Sequence, residues 1–273
     1  MNKFSASPLE ALASIYRNRR LTFDLIRRDV IGRYRGSTGG LIWSFVNPLL
    51  MLAVYTFVFT VVFKARWGTT QGGSDAQFAI VLFMGLIVHG LFAECVNRAP
   101  GLVISNVNYV KRVVFPLEVL AVVALGSALF HMAVSIVILL VFQLLFSGVI
   151  DWHVVWLPVV LLPLAILTLG VAWFLAATSV FVRDVAQTTG ILTTMLLFLS
   201  PVFYPVSALP EKYRPWLNLS PMTFIIEQAR AVTLAGENPD LVGLGLYLIV
   251  AIAVFAAGFW WFQRIRPGFA DVI

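Results

Sequence analysis

Hydrophobic and polar positions fall in long blocks along this chain, and the blocks set the expected elements. The first block, residues 1–36, is mixed. On a helical projection Phe23, Ile26, Val30 and Tyr34 share one stripe, while Asp24, Arg28 and Arg35 point roughly the other way. That pattern predicts a basic amphipathic helix lying along a membrane surface, apolar face down, with arginines toward lipid phosphates. The joint Gly36-Ser37-Thr38-Gly39-Gly40 then leads into an uncharged apolar run, Leu41–Phe63. A bilayer crossing takes about 20 such residues, so this run predicts a first span, kinked at Asn47-Pro48.

Five more apolar runs follow: Phe78–Val96, Leu120–Phe146, Val155–Val182 (bent at Pro158 and Pro163), Thr188–Phe203 and Leu241–Phe262. The stretch 204–240 is unusual for a loop, because Trp216–Ile226 is largely apolar yet broken at Ser220-Pro221. Apolar segments of about 10–14 residues read as re-entrant or interfacial. Backbone freed at such a break must be covered by protein or face a water-filled cavity. The expected fold is therefore an all-α polytopic membrane protein forming one transmembrane domain over 1–273. It comprises an interface segment (1–36), six membrane helices within 41–262, and re-entrant half-helices in 204–240 on the non-cytoplasmic side.

Composition supports this and removes other classes. The chain is 60% hydrophobic and 12% charged, with a mean hydropathy of +0.92, about half the charged fraction of a soluble domain. Long uninterrupted runs exclude a barrel, whose strands are about 10 residues of alternating pattern. The net charge of +6 reads as Lys and Arg on cytoplasmic loops rather than a nucleic-acid surface. With the N-terminus in the cytoplasm, 14 of the 19 Lys and Arg fall on that side, and three of the remaining five (Lys212, Arg214, Arg230) lie in one long loop. Both termini are thus expected to be cytoplasmic, and no cleavable signal is expected, since the first apolar run starts too late.

Catalytic chemistry finds little support. Cys95 is the sole cysteine, and His89, His131 and His153 sit in separate segments, so neither a disulfide framework nor a metal site is expected. The glycine joint lacks the lysine of a phosphate loop. Glu94 and Arg98, four residues apart, predict a local ion pair; Glu118 has no neighbour of that kind and is expected to meet Lys111, Arg112 or a partner protein. The runs show no acid at mid-bilayer for ion coupling, which points to energy supplied by another subunit. An ion-coupled secondary carrier and a membrane-embedded polyprenyl-linked transferase are the alternatives. The polar connections Asn97–Arg112 and Arg183-Asp184-Val185-Ala186-Gln187 either dock a soluble partner as short helices or are plain charged turns.

Several motifs occur in order along nearly the whole chain: Arg28-Asp29-Val30-Ile31-Gly32-Arg33-Tyr34-Arg35-Gly36-Ser37 with Gly40-Leu41-Ile42-Trp43 and Pro48; Asn108-Tyr109-Val110-Lys111-Arg112 with Phe115-Pro116; Val182-Arg183-Asp184; Phe203-Tyr204-Pro205; and Leu219-Ser220-Pro221. In these the chain resembles the permease subunits of bacterial ABC exporters of lipid-linked polysaccharide, the group that includes O-antigen and teichoic acid exporters. The resemblance implies a homodimer in the bacterial cytoplasmic (inner) membrane, served by two copies of a separate ATPase subunit. That subunit would bind ATP and Mg, leaving this chain without a cofactor or enzymatic activity of its own. The substrate implied is an undecaprenyl-diphosphate-linked glycan, exported through a channel at the dimer axis. Coupling to the ATPase would fall to Asn108, Lys111, Arg112, Arg183, Asp184 and Gln187. Arg33 and Arg35 would contact the lipid diphosphate, as arginine pairs with phosphate in a forked geometry. Tyr55, Phe59, Phe203 and Tyr204 are candidates for sliding contacts to sugar faces, with ordinary helix packing the alternative for each.

Overall fold

Pro8 opens the first helix because its fixed φ suits a first turn and its missing N–H is not needed there. The computed structural model describes residues 7–62, 75–111, 115–218 and 220–272. Among them there are helices and no strand: α1 (Pro8–Arg17), α2 (Arg19–Tyr34), α3 (Trp43–Thr56), α4 (Asp75–Arg98), α5 (Gly101–Ile104), α6 (Val107–Val110), α7 (Val119–Ser147), α8 (Leu157–Phe181), α9 (Val185–Leu199), α10 (Arg214–Asn218), α11 (Pro221–Arg230), α12 (Leu241–Ile265) and α13 (Phe269–Val272). Side-chain caps mark several starts: Ser7 accepts from the Leu9 amide, Ser220 from Met222, and Asp240 from Val242 and Gly243.

Four helical stretches are long and apolar enough to cross a membrane: Phe78–Arg98, Val119–Ser147, Trp152–Phe181 and Leu241–Val272. They correspond to the second, third, fourth and sixth expected spans. The first and fifth are shorter apolar helices, Gly40–Thr56 and Val185–Leu199. The fifth stops at Leu199, not Phe203, because Ser200 precedes Pro201 and is driven to extended backbone. At about 1.5 Å per residue, α9 falls short of the roughly 30 Å hydrocarbon core. The first runs from a 3₁₀ turn, Gly40–Ile42, through α3 into a π turn, Phe57–Val62, with Pro48 inside α3.

α4 lies at the centre, buried from Phe78 to Val96 along most of its length, whereas α7 and α12 keep apolar outer faces such as Val141 and Ile249. Exposed apolar faces on helices of this length suit contact with lipid. α8 and α12 meet backbone to backbone at Gly170 and Gly258, where a Cβ on either glycine would overlap the other helix. Small residues permit that approach in a setting where apolar side chains gain little from leaving lipid. Beside the crossing, the Trp173 ring stands edge-on to Phe255 and Phe259, each 5.0 Å away between centroids.

Between α9 and α12 the predicted broken segment forms α10 and α11, separated near Ser220. Met222, Ile225, Ile226 and Ala229 of α11 are fully buried. The buried Arg230 at its end donates to the carbonyls of Val81 (3.1 Å), Pro201 (2.6 Å) and Val202 (3.0 Å). It thereby satisfies carbonyls released where α9 breaks. At the opposite end of the molecule, α1, the start of α7 and the end of α12 converge: Glu118 accepts from Ser14 (2.7 Å) and from Arg266 (2.8 Å). This corrects the expectation that Glu118 meets Lys111, Arg112 or another protein. Its partner is brought by the C-terminal end of α12, which no local pattern around Glu118 reveals.

Candidate functional site

The N-terminal helix α2 is seated on α4 and α7 by a face that includes Ile26, Val30 and Tyr34 of the predicted stripe but not Phe23. Thr22 and Val30 are buried, Ile26 and Asp29 half-buried, but Phe23 is 67% exposed. Ile26 rests where Gly126 of α7 leaves no room for a Cβ. Of the predicted stripe only Phe23 points away; Ile26, Val30 and Tyr34 turn toward neighbouring helices, whereas the sequence pattern predicts the stripe on the membrane surface. The contact face also carries Asp29 and Arg33, whose partners the neighbouring helices supply.

Those partners form two rungs. In the first, Asp29 accepts from Arg98 of α4 (2.7 Å) and from Ser127 of α7 (2.6 Å). In the second, Arg33 donates to Glu94 of α4 (2.7 Å), and His131 of α7 lies 2.9 Å from the same Glu94 oxygen and 3.2 Å from the Tyr34 hydroxyl. Each helix contributes two residues four apart (Asp29 and Arg33, Glu94 and Arg98, Ser127 and His131), which places both on one helical face. The expected local pair between Glu94 and Arg98 is therefore replaced by two inter-helix pairs. Both side chains point at α2, where each finds an opposite charge and additional hydrogen bonds. Burial alone would raise the Asp29 carboxyl, but the hydrogen bonds from Arg98 and Ser127 and the Arg98 and Arg33 charges outweigh it and hold it below its ordinary value.

Two cavities flank the rungs. One, of about 520 Å³, opens between α2, the end of α4, α5–α6 and α7; Arg28, Asp29, Arg33, Arg98, Asn106 and Tyr109 line it. The other, of about 360 Å³, lies among α3, α4, α7 and α9, with Asn47, Tyr55, His89, Glu94, His131 and Ser135 on its walls. His89 also bonds the Thr193 carbonyl of α9 at 3.0 Å.

The predicted coupling residues Asn108, Lys111, Arg183, Asp184 and Gln187 are all exposed. Asn108 is on α6 and Lys111 just beyond it, while Gln187 is in the first turn of α9, so the 183–187 elbow leads directly into that helix. A hydrogen bond from Ser179 to the Pro100 carbonyl (2.7 Å) holds the end of α8 beside the α4–α5 connection. Arg112 lies outside the described residues. Arg35 is exposed at the C-terminal cap of α2. Of the four aromatics, Tyr55 and Phe203 meet at 6.1 Å between centroids, and the Tyr204 hydroxyl donates to the Phe198 carbonyl (2.9 Å); the Phe59 side chain is outside the described set. Among the described residues, no group of three or more His, Cys, Asp or Glu is placed to hold a metal ion.

Comparison with known proteins complements this geometry. The family model described as ABC-2 type transporter matches residues 20–234. An O-antigen export system permease protein RfbA of Myxococcus xanthus is 28% identical over 267 residues, covering 97% of this chain and 100% of that protein. A Klebsiella pneumoniae RfbA is 24% identical over 257 residues, 92% of this chain and 95% of its own length. The polysialic acid transport protein KpsM of Escherichia coli is 22% identical over 236 residues, 84% and 88% of the two chains.

Proposed function

The chain belongs to the ABC-2 type transporter family, and from that premise we propose that it is the membrane-spanning channel subunit of an ATP-driven polysaccharide exporter. Its cargo on this reading is an undecaprenyl-diphosphate-linked glycan of the O-antigen kind, carried across the bacterial cytoplasmic membrane. The observation that carries the reading is likeness along almost the full chain to permeases named for O-antigen export. The single transmembrane domain works as a homodimer, with both termini cytoplasmic and two copies of a separate ATPase subunit.

The geometry suits such a division of labour. Asn108 and Lys111 at α6, and Arg183, Asp184 and Gln187 before and within α9, offer exposed polar contacts to a soluble ATPase. A push on α5–α6 reaches the end of α4, from which α5 continues, and the two rungs pass it to α2 and α7. Arg33 and Arg35 stand at the rim where the diphosphate is first met. Tyr55, Phe59, Phe203 and Tyr204 supply rings along which sugar faces slide.

The test is reconstitution. The purified chain, with and without its ATPase, is placed in liposomes loaded with lipid-linked glycan, and ATP hydrolysis and translocation are followed. The proposal expects both only when the ATPase is present. Hydrolysis by the isolated chain refutes it, and collapse of export by a protonophore at constant ATP favours an ion-coupled carrier instead.

A further inference from the structure

We propose that the 520 Å³ cavity beneath α2 is a phosphoryl-anion site built by Arg28, Arg98 and Tyr109, with Arg33 of the rim on its wall. The inference rests on the exporter reading for its biological setting and on the following geometry for its chemistry.

The lining carries three guanidinium groups, those of Arg28, Arg33 and Arg98, against the single carboxylate of Asp29. That carboxylate is already engaged by Arg98 and Ser127, and Arg33 is drawn to Glu94. Arg28 forms no ion pair or hydrogen bond with any described residue. Arg98 uses Nη2 on Asp29, while its Nη1 is buried and has no hydrogen-bond partner. A buried donor without an acceptor is costly, and native structures rarely leave one so.

An anion is the ligand that completes this lining. A phosphoryl group presents several acceptor oxygens, enough for Arg28 and for the parts of Arg98 and Arg33 that line the cavity, in the forked geometry guanidinium favours. Tyr109 adds a neutral donor: its ring stacks on Phe115 at 4.2 Å between centroids, and its hydroxyl makes no hydrogen bond to a described residue. Asp29 does not repel such a ligand strongly, because Arg98 balances it at 2.7 Å. The phosphoryl group comes either from an anionic bilayer lipid beside α2 or from the diphosphate of a polyprenyl carrier.

The full chain in phosphatidylcholine nanodiscs, titrated with inorganic pyrophosphate, tests the site. Binding is expected, weakening roughly tenfold in Arg28→Gln and in Arg98→Lys, the latter keeping a cation for Asp29 but losing the fork. Tyr109→Phe keeps the stack and is expected to weaken binding by a smaller factor. Absence of binding, or equal binding in wild type and both arginine variants, overturns the proposal. Competition by phosphatidylglycerol in the disc supports the site and identifies a bilayer lipid as the source; competition by farnesyl diphosphate alone supports it and identifies the carrier. ATPase assembly is measured on the same samples. Lost pyrophosphate binding with intact assembly removes this site alone, whereas failed assembly of the wild type counts against the exporter reading.

Discussion

Arg266 and Glu118 are 148 positions apart in the chain and meet at 2.8 Å with both side chains almost fully withdrawn from solvent. The pair closes one end of the molecule, since Ser14 of α1 donates to the other Glu118 oxygen and Trp173 of α8 donates to its carbonyl. Removing one partner strands a buried charge. Arg266→Ala is expected to destabilise the protein by about 3–5 kcal/mol, and Arg266→Met with Glu118→Gln by much less. Thermal unfolding in detergent, compared among the single and double variants, checks this.

Asp29 gives the docking of α2 a defined pH dependence. Its folded carboxyl is held below the ordinary value, so its contribution is fully present above the unfolded pKa of about 4 and is lost as pH falls through the folded value. Protease sensitivity of α2 should stay flat from neutral pH to about 5 and rise below that range. Asp29→Asn should be sensitive already at neutral pH, and exchanging the charges (Asp29→Arg with Arg98→Asp) should recover part of the protection. Equal sensitivity of wild type and Asp29→Asn would show that the first rung does not hold the helix.

Arg230 is expected to set the position of the segment carrying Phe203 and Tyr204. Its donors reach the carbonyls of Pro201 and Val202 just before these rings. Arg230→Met leaves those carbonyls buried without their donor, a loss of about 1–3 kcal/mol for each. Thiol labelling of a Tyr204→Cys reporter should accelerate in the Arg230→Met background, with Arg230→Lys intermediate.

Reversing charge at the exposed Arg183 and Asp184 should weaken capture of the ATPase subunit by several-fold, while thermal stability of the chain changes little. Pull-down and melting curves measured in parallel separate the two effects. Unchanged capture and export would exclude the elbow from coupling.

The long apolar runs made four of the expected membrane helices legible, since length and uninterrupted hydropathy are local properties. The break at Ser220-Pro221 was legible for the same reason. Partners were not: Glu94 and Arg98 look like a local pair because four-residue spacing is visible in sequence, whereas the arrival of Asp29 and Arg33 on the same face depends on tertiary packing. The stripe of Ile26, Val30 and Tyr34 on α2 was legible, but not that α4 and α7 cover it, because the partners of Asp29 and Arg33 beside it arrive only through tertiary packing. The short fifth helix required attention to a single proline, Pro201, inside an otherwise continuous run.

The order of charges on the two rungs has a mechanical meaning. Along α2 the acid precedes the base; along α4, facing it in the opposite direction, Glu94 precedes Arg98. A slip of α2 by one helical turn, about 5.4 Å, would set Asp29 against Glu94 or Arg33 against Arg98. Either displacement brings like charges together, so the arrangement behaves as a detent. Axial displacement of α2 is thus opposed at both rungs at once, in either direction.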